Sequence, residues 1–264
     1  MIKVLFLGDV VGRPGREFLI EKISELRSEL SLHAVVVNAE NAAGGSGITE
    51  SIASDLLSAG VDAITLGDHV WDQKNFENEI DELNFVCRPA NLPNSNPGRD
   101  YLICEINGSK VGVFTVLGRS FMGPKVDCPF ATADKLVNQL ETQVDQIICE
   151  IHAETTSEKE SIGWFLDGRV SLVFGTHTHV PTSDARILPN GTAFQTDVGM
   201  CGNYDSVIGM EKSLAIDRFF SKKSHLTVAE GEITICGVCV ETDDYSGKSL
   251  SIEPIRIGGV LTPT

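Results

Sequence analysis

Short apolar runs recur along this chain, and five of them end in side chains that can bind a cation. Residues 3–8 are followed by Asp9, residues 33–38 by Glu40 and Asn41, and residues 63–66 by Asp68 and His69. Residues 146–151 are followed by His152, and residues 171–174 by Gly175-Thr176-His177-Thr178-His179-Val180. Runs this short, bounded by polar and glycine residues, read as buried strands. Two histidines one residue apart just past a strand can aim both imidazoles at one point, and imidazole is the commonest protein ligand for transition metals. Any one of these residues is by itself more often a helix cap or a loop residue; their recurrence at one strand end argues for a shared site.

Helical spacing separates the runs. Leu19, Ile23, Leu26 and Leu30 mark a helix over 17–30, with Pro14 suited to a first turn, and Thr49 is placed to cap a helix over 52–59. Further helices are expected over 75–83, 133–143, 156–166 (a polar one) and 212–219. Two hairpins interrupt the alternation: 101–106 with 110–117 through Asn107-Gly108-Ser109, and 185–188 with 192–196 through Pro189-Asn190-Gly191. Two or three strands close the chain within 227–257, with a turn at 243–247. Strand–helix alternation broken by hairpins predicts an α/β fold with two mixed sheets packed together and helices outside. It does not supply the eight regular units of a TIM barrel. In such architectures sites form at the carboxyl ends of the strands. The absence of G-x-G-x-x-G after the first strand argues against a dinucleotide fold.

Composition narrows the chemistry. Asp and Glu outnumber Lys and Arg by 37 to 21, a net charge of −16, with no basic patch, which excludes duplex nucleic acid as a partner. Bound divalent cations would still make one small region attractive to phosphate. No apolar run nears the roughly 20 residues that span a bilayer, and no signal segment is evident, so a cytoplasmic protein with no membrane association and one domain over 1–264 is expected; a homo-oligomer stays open. Seven irregularly spaced cysteines do not form a disulfide framework. Cys236-Gly-Val-Cys239 has the spacing of a zinc or redox pair, but within a strand its cysteines face opposite ways.

Carboxylate, amide and imidazole together suit Mn, Fe or Zn rather than a thiolate-rich structural zinc site. Asp9, Glu40, Asn41, Asp68, His152, His177 and His179 are too many for one tetrahedral ion. They fit two ions bridged by a carboxylate, Glu40, at the roughly 3.5–4 Å separation that clamps a phosphoryl group. His33 and His225 fall outside this set. Gly44-Gly45-Ser46-Gly47 could offer backbone N–H groups to phosphate, Arg13 could meet an anion, and Trp71 and Phe121 could stack on a base; a flexible loop, a solvated arginine and ordinary packing are the plainer readings.

The motifs Gly8-Asp9-Val10-Val11-Gly12, Asn38-Ala39-Glu40-Asn41-Ala42-Ala43-Gly44-Gly45, Leu66-Gly67-Asp68-His69-Val70-Trp71-Asp72, His152-Ala153-Glu154, Gly175-Thr176-His177-Thr178-His179-Val180 and Thr196-Asp197-Val198-Gly199-Met200 closely resemble those of the calcineurin-like metallophosphoesterases. Within that superfamily the chain is similar to the YmdB-type bacterial phosphodiesterases over nearly its whole length. The resemblance implies an αββα four-layer sandwich and a dinuclear centre of iron or manganese, with zinc as an alternative. One ion would be held by Asp9, Glu40, Asn41 and His179, the other by Glu40, position 68, His152 and His177. It implies hydrolysis of small phosphodiesters, with cyclic nucleotides the expected class, by a hydroxide bridging the ions, and His69 protonating the leaving oxygen. The family carries Asn where this chain has Asp68. A phosphomonoesterase or nucleotidase using the same site, or a nucleotide-binding regulatory protein with weak turnover, are the alternatives.

Overall fold

The computed structural model describes residues 1–220 and 223–264. In chain order the first half comprises β1 (Ile2–Leu7), β2 (Asp9–Val10), α1 (Gly12–Glu29), β3 (Ala34–Asn38), α2 (Glu50–Ala59), β4 (Ala63–Thr65), α3 (Phe76–Glu79) running into a 3-10 turn (Ile80–Glu82), β5 (Val86–Cys87), β6 (Leu102–Ile106) and β7 (Ser109–Leu117). The second half comprises α4 (Pro129–Leu140), β8 (Gln146–His152), α5 (Thr156–Leu166), β9 (Leu172–Thr176), β10 (Arg186–Ile187), β11 (Ala193–Gln195), β12 (Met200–Asn203), α6 (Lys212–Phe219), β13 (Ile233–Thr242) and β14 (Ser249–Ile257).

These strands form two mixed sheets. One runs β2-β12-β13-β1-β3-β4-β5, with β14 on the other edge of β13; the second runs β10-β11-β9-β8-β7-β6. Strand alternation sorts the side chains into layers. Ile2, Val4 and Phe6 of β1 meet Val113, Ile148 and Phe174 between the sheets. Leu5 and Leu7 face the other way, onto Leu19, Ile23 and Leu26 of α1. On the far side, Cys149, Ile151 and Val173 pack under Leu136, Leu140 and Ile162 of α4 and α5. The result is the expected αββα sandwich.

The parity that builds the central core also builds the site. Ile148 on β8 and Phe174 on β9 face inward, and so do Glu150, His152 and Thr176 further along the same strands; Ala34 and Val36 on β3 are followed by Asn38. The interior therefore turns from apolar to polar at the carboxyl edge of both sheets, without leaving the buried face.

Several boundaries differ from expectation. The first helix begins at Gly12 rather than 17, because the Gly12 N–H is satisfied by Asn41 O at 2.8 Å and the turn needs no apolar side chain. The helix expected over 133–143 begins at Pro129, which fits a first-turn proline. The helix expected over 75–83 is instead α3 followed by a 3-10 turn. The short strands β2, β5 and β12 add to the expected set; two to four residues carry no periodic signal. Helix α5 has the expected bounds, but its polar reading needs correction, since Lys159 is wholly buried on it. Thr49 caps α2 as expected, accepting from Ile52 N. Cys236 and Cys239 face opposite sides of β13, and all seven cysteines are free.

Candidate metal centre

Both sheets deliver side chains to one place. Asp9 lies in β2, Glu40 and Asn41 follow β3, Asp68 and His69 follow β4, His152 ends β8, and His177 and His179 follow β9. Within this group Glu40, Asp68, His152 and His177 place one ligand atom each within 4.8 Å of one another. His152 Nε2 is 3.0 Å from Glu40 Oε1, 2.9 Å from Asp68 Oδ1 and 3.1 Å from His177 Nδ1. Gly67 makes this approach feasible: a Cβ there would collide with Glu40 Oε2 and His152 Nε2.

Of the remaining three residues, Asp9 stands off from its neighbours while Asn41 and His179 are in contact. Asp9 is fully buried, and its Oδ1 lies 3.8 Å from His179 Nε2 and 3.9 Å from His152 Nδ1, with no hydrogen-bond partner. Asn41 Nδ2 is 3.2 Å from His179 Nε2 and donates to Glu40 Oε1 at 3.2 Å. A buried carboxylate oxygen without a partner costs free energy unless a cation satisfies it.

The outer nitrogen of each histidine has a partner, which leaves the inner one free to face the cluster. His179 Nδ1 donates to Ile208 O at 2.8 Å, and His177 Nε2 is 3.3 Å from Glu154 Oε2. Thr176 Oγ1 is 2.8 Å from His152 Nδ1. The electrostatics call for positive charge. Burial opposes a charged His152, yet the carboxylates of Glu40, Asp68 and Asp9 outweigh it and strengthen its hold on a proton. Burial raises the Asp9 carboxyl above its ordinary range. Burial also opposes ionisation of Asp68, but hydrogen bonds from His152 and His177 prevail and hold it well below the usual carboxylate range. Donor set, unpartnered oxygen and charge all fit a metal ion, so metal binding is the property this arrangement supports.

The loop carrying two of the histidines is strained. His177 and His179 have φ of 93° and 64°, a left-handed conformation that costs non-glycine residues on the order of 1–3 kcal/mol each. It is held by Asp197, whose Oδ2 accepts from Thr178 N at 3.2 Å, from Thr178 Oγ1 at 2.7 Å and from Lys159 Nζ at 2.7 Å. His177 N–H donates to Asp9 Oδ2 at 3.1 Å. Lys159 and Asp197 form a fully buried ion pair. Sequence reading included Asp197 only as part of a motif and missed Lys159.

A cavity of about 600 Å³ opens over the cluster. His69 lines it, with Nδ1 2.7 Å from Asp72 Oδ2, while Ser46 Oγ also donates to Asp72. Ile208, Met210 and Leu226 give it an apolar wall. His225, outside the ligand set, and Arg218 also line this cavity. Gly44, Gly45 and Ser46 of the 44–47 loop line the cavity too, but Gly45 N–H is used on Asn41 O and Ser46 N–H on Ala43 O, which weakens its reading as an anion cradle. Arg13 is exposed and paired with Glu17, Trp71 packs against Phe76 and the helical core, and Phe121 is exposed away from the cavity walls.

The model of the YmdB-like protein family matches residues 5–255. The chain belongs to the YmdB-like family. It is 44% identical over 257 residues to the 2',3'-cyclic-nucleotide 2'-phosphodiesterase of Bacillus subtilis (strain 168), covering 97% of each chain. Among solved structures it is similar to a hypothetical protein of Thermus thermophilus, at 38% identity and a TM-score of 0.91, over 98% of this chain and 100% of that one. A crystal structure of a novel phosphatase from Mycoplasma pneumoniae gives the same identity, 38%, and TM-score, 0.91, over 97% and 93% of the two chains. Family membership and the αββα architecture together identify a metallophosphoesterase fold.

Proposed function

We propose that this chain is a metal-dependent phosphodiesterase that opens 2',3'-cyclic nucleotides, with residues 1–264 as one catalytic domain working in the cytoplasm. The reading rests on one observation: four lone-pair-bearing side chains, Glu40, Asp68, His152 and His177, converge beneath a cavity large enough for a nucleotide. The name of the Bacillus relative supports the substrate class, and seven free cysteines accord with a reducing compartment.

Two transition-metal ions, iron or manganese, would be held by Asp9, Glu40, Asn41 and His179 on one side and by Glu40, Asp68, His152 and His177 on the other. Bound there, such ions acidify water and offset charge on phosphoryl oxygens. The chain's own residues do the rest. Asp72 accepts from Nδ1–H of the His69 imidazolium, whose Nε2–H is then free to pass to the departing ribose oxygen. Ile208, Met210 and Leu226 offer an apolar surface to the nucleoside, and Arg218 adds positive charge to a wall that otherwise carries Glu40 and Glu154.

The test is a substrate panel on manganese-reconstituted protein: 2',3'-cyclic nucleotides, 3',5'-cyclic nucleotides, and nucleoside monophosphates. Opening of the 2',3'-cyclic ester to a monophosphate, without release of inorganic phosphate, is expected. Phosphate release from monophosphates with cyclic esters untouched would overturn the reading in favour of a monoesterase.

A further inference from the structure

Glu150 takes no part in the cluster, yet it lies wholly buried at the midplane of the sandwich, two residues before His152 on β8. Its Oε1 is 2.6 Å from Asn38 Nδ2 and 2.6 Å from Thr176 Oγ1, and its Oε2 is 3.0 Å from Thr115 Oγ1. It therefore joins β3 of one sheet to β7 and β9 of the other.

The direction of every bond in this network follows from groups that can play only one role. The Glu40 backbone N–H is an obligate donor and lies 3.0 Å from Asn38 Oδ1. Asn38 must then present its NH₂ group to Glu150. An amide nitrogen only donates, so Glu150 Oε1 is an acceptor. As a carboxylate Glu150 can only accept, from Asn38 and Thr176 on Oε1 and from Thr115 on Oε2. Thr176 thus donates its single hydroxyl hydrogen to the Glu150 carboxylate. Only lone pairs of Thr176 Oγ1 remain for His152 Nδ1 at 2.8 Å. His152 Nδ1 must carry a hydrogen, and the lone pair of the neutral ring falls on Nε2, the atom that faces Glu40, Asp68 and His177.

We propose that Glu150 and Thr176 are positioning residues: by the direction of their hydrogen bonds they lock His152 in its Nδ1–H form and reserve Nε2 for a cation. The inference rests on the metal-binding part of the proposed function and is independent of which phosphoester is cleaved. Through Asn38, the same carboxylate also anchors the Glu40 backbone, so one buried group orients a ligand from each sheet.

The proposal separates bond direction from charge. Glu150→Gln keeps an acceptor for Asn38 and Thr176 and turns its amide donor toward Thr115, whereas Glu150→Leu removes the acceptor. Thr176→Ser keeps the hydroxyl and Thr176→Val removes it. Zinc affinity is measured by competition with a chelator. The imidazole Nδ1–H signals are read by nitrogen–proton NMR on zinc-loaded, histidine-labelled protein. Glu150→Gln and Thr176→Ser should bind zinc within about threefold of the parent and keep a slowly exchanging His152 Nδ1–H. Glu150→Leu and Thr176→Val should lose roughly 10–100-fold in affinity, the usual cost of an outer-sphere partner of a metal-bound histidine, together with that protected signal. Should Glu150→Leu fail to fold, the Thr176 pair decides alone. Parent-like zinc affinity in Thr176→Val, or Glu150→Gln as impaired as Glu150→Leu, would overturn the proposal, the second outcome by assigning the role to charge. Failure of the substrate panel with these zinc results intact would instead refute only the assigned reaction.

Discussion

Glu40, Asp68, His152 and His177 bring their ligand atoms together around His152, whereas on the side of Asp9, Asn41 and His179 the Asp9 Oδ1 stands 3.8 Å from His179 without a hydrogen-bond partner. The difference follows from what carries each set. On the compact side His152 ends the seven-residue strand β8 and is held through Thr176 at the end of β9. On the other side Asp9 sits in a two-residue strand with one carboxylate oxygen that no donor holds; turns and left-handed backbone are common to both sides, in Glu40 and Asp68 as in Asn41 and in His177 as in His179. The set tied to His152 is preorganised by its own contacts, whereas the Asp9 oxygen is left to be satisfied by the ion. The compact half should therefore bind its metal first and hold it longer.

The largest effect should come from the residue the two halves share. Glu40→Ala should strip both ions and abolish turnover, read by elemental analysis after gel filtration. Retention of two ions would remove Glu40 from its bridging place. Next is the ion pair beneath the histidine loop, which serves His177 in one half and His179 in the other. Lys159→Met would leave Asp197 buried without its counter-charge, and should cost about 3–5 kcal/mol of stability, measured by urea denaturation of the metal-free protein. A change under about 1 kcal/mol would show that the loop is held by its other contacts.

His69→Ala should leave both halves intact. Metal content should be unchanged, while turnover of substrates with poor leaving groups falls by roughly 10²–10⁴ and that of a p-nitrophenyl diester falls much less. Equal losses on both would argue against proton donation. The smallest expected effect is confined to the compact half. Asp68→Asn removes one negative charge beside His152 and His177. It should weaken metal retention against a chelator by roughly tenfold, about 1.4 kcal/mol. It should also raise kcat/KM at full loading, because a more positive centre holds an anionic diester better. A slower, fully loaded variant would mean that the carboxylate geometry matters more than its charge.

The ligands and the residues that hold them are not equally readable from the sequence. Strand ends are readable because an apolar run and the polar residue that stops it are neighbours in sequence, so Asp9, Glu40, His152 and His177 can all be placed at one edge. The residues that hold them are not neighbours. Lys159 meets Asp197 across 38 positions, and Glu150 meets Asn38 across 112. In isolation Lys159 looks like the exposed face of a polar helix and Glu150 like an interruption in an apolar strand. One signal is present for Glu150: it shares the parity of Ile148 and His152, so a charged residue has to face inward. His225 gives no such sign, since no apolar run or strand end precedes it to place it on the cavity wall.

The most direct test of the two-half account is metal stoichiometry in a variant that injures only the open side. Parent protein and His179→Ala, both reconstituted with excess manganese and freed of unbound ion, should carry two ions and one ion per chain. The single ion of the variant should match the slower-dissociating ion of the parent. A parent that holds one ion, or a variant that loses both together, would contradict the division into a compact and an open half.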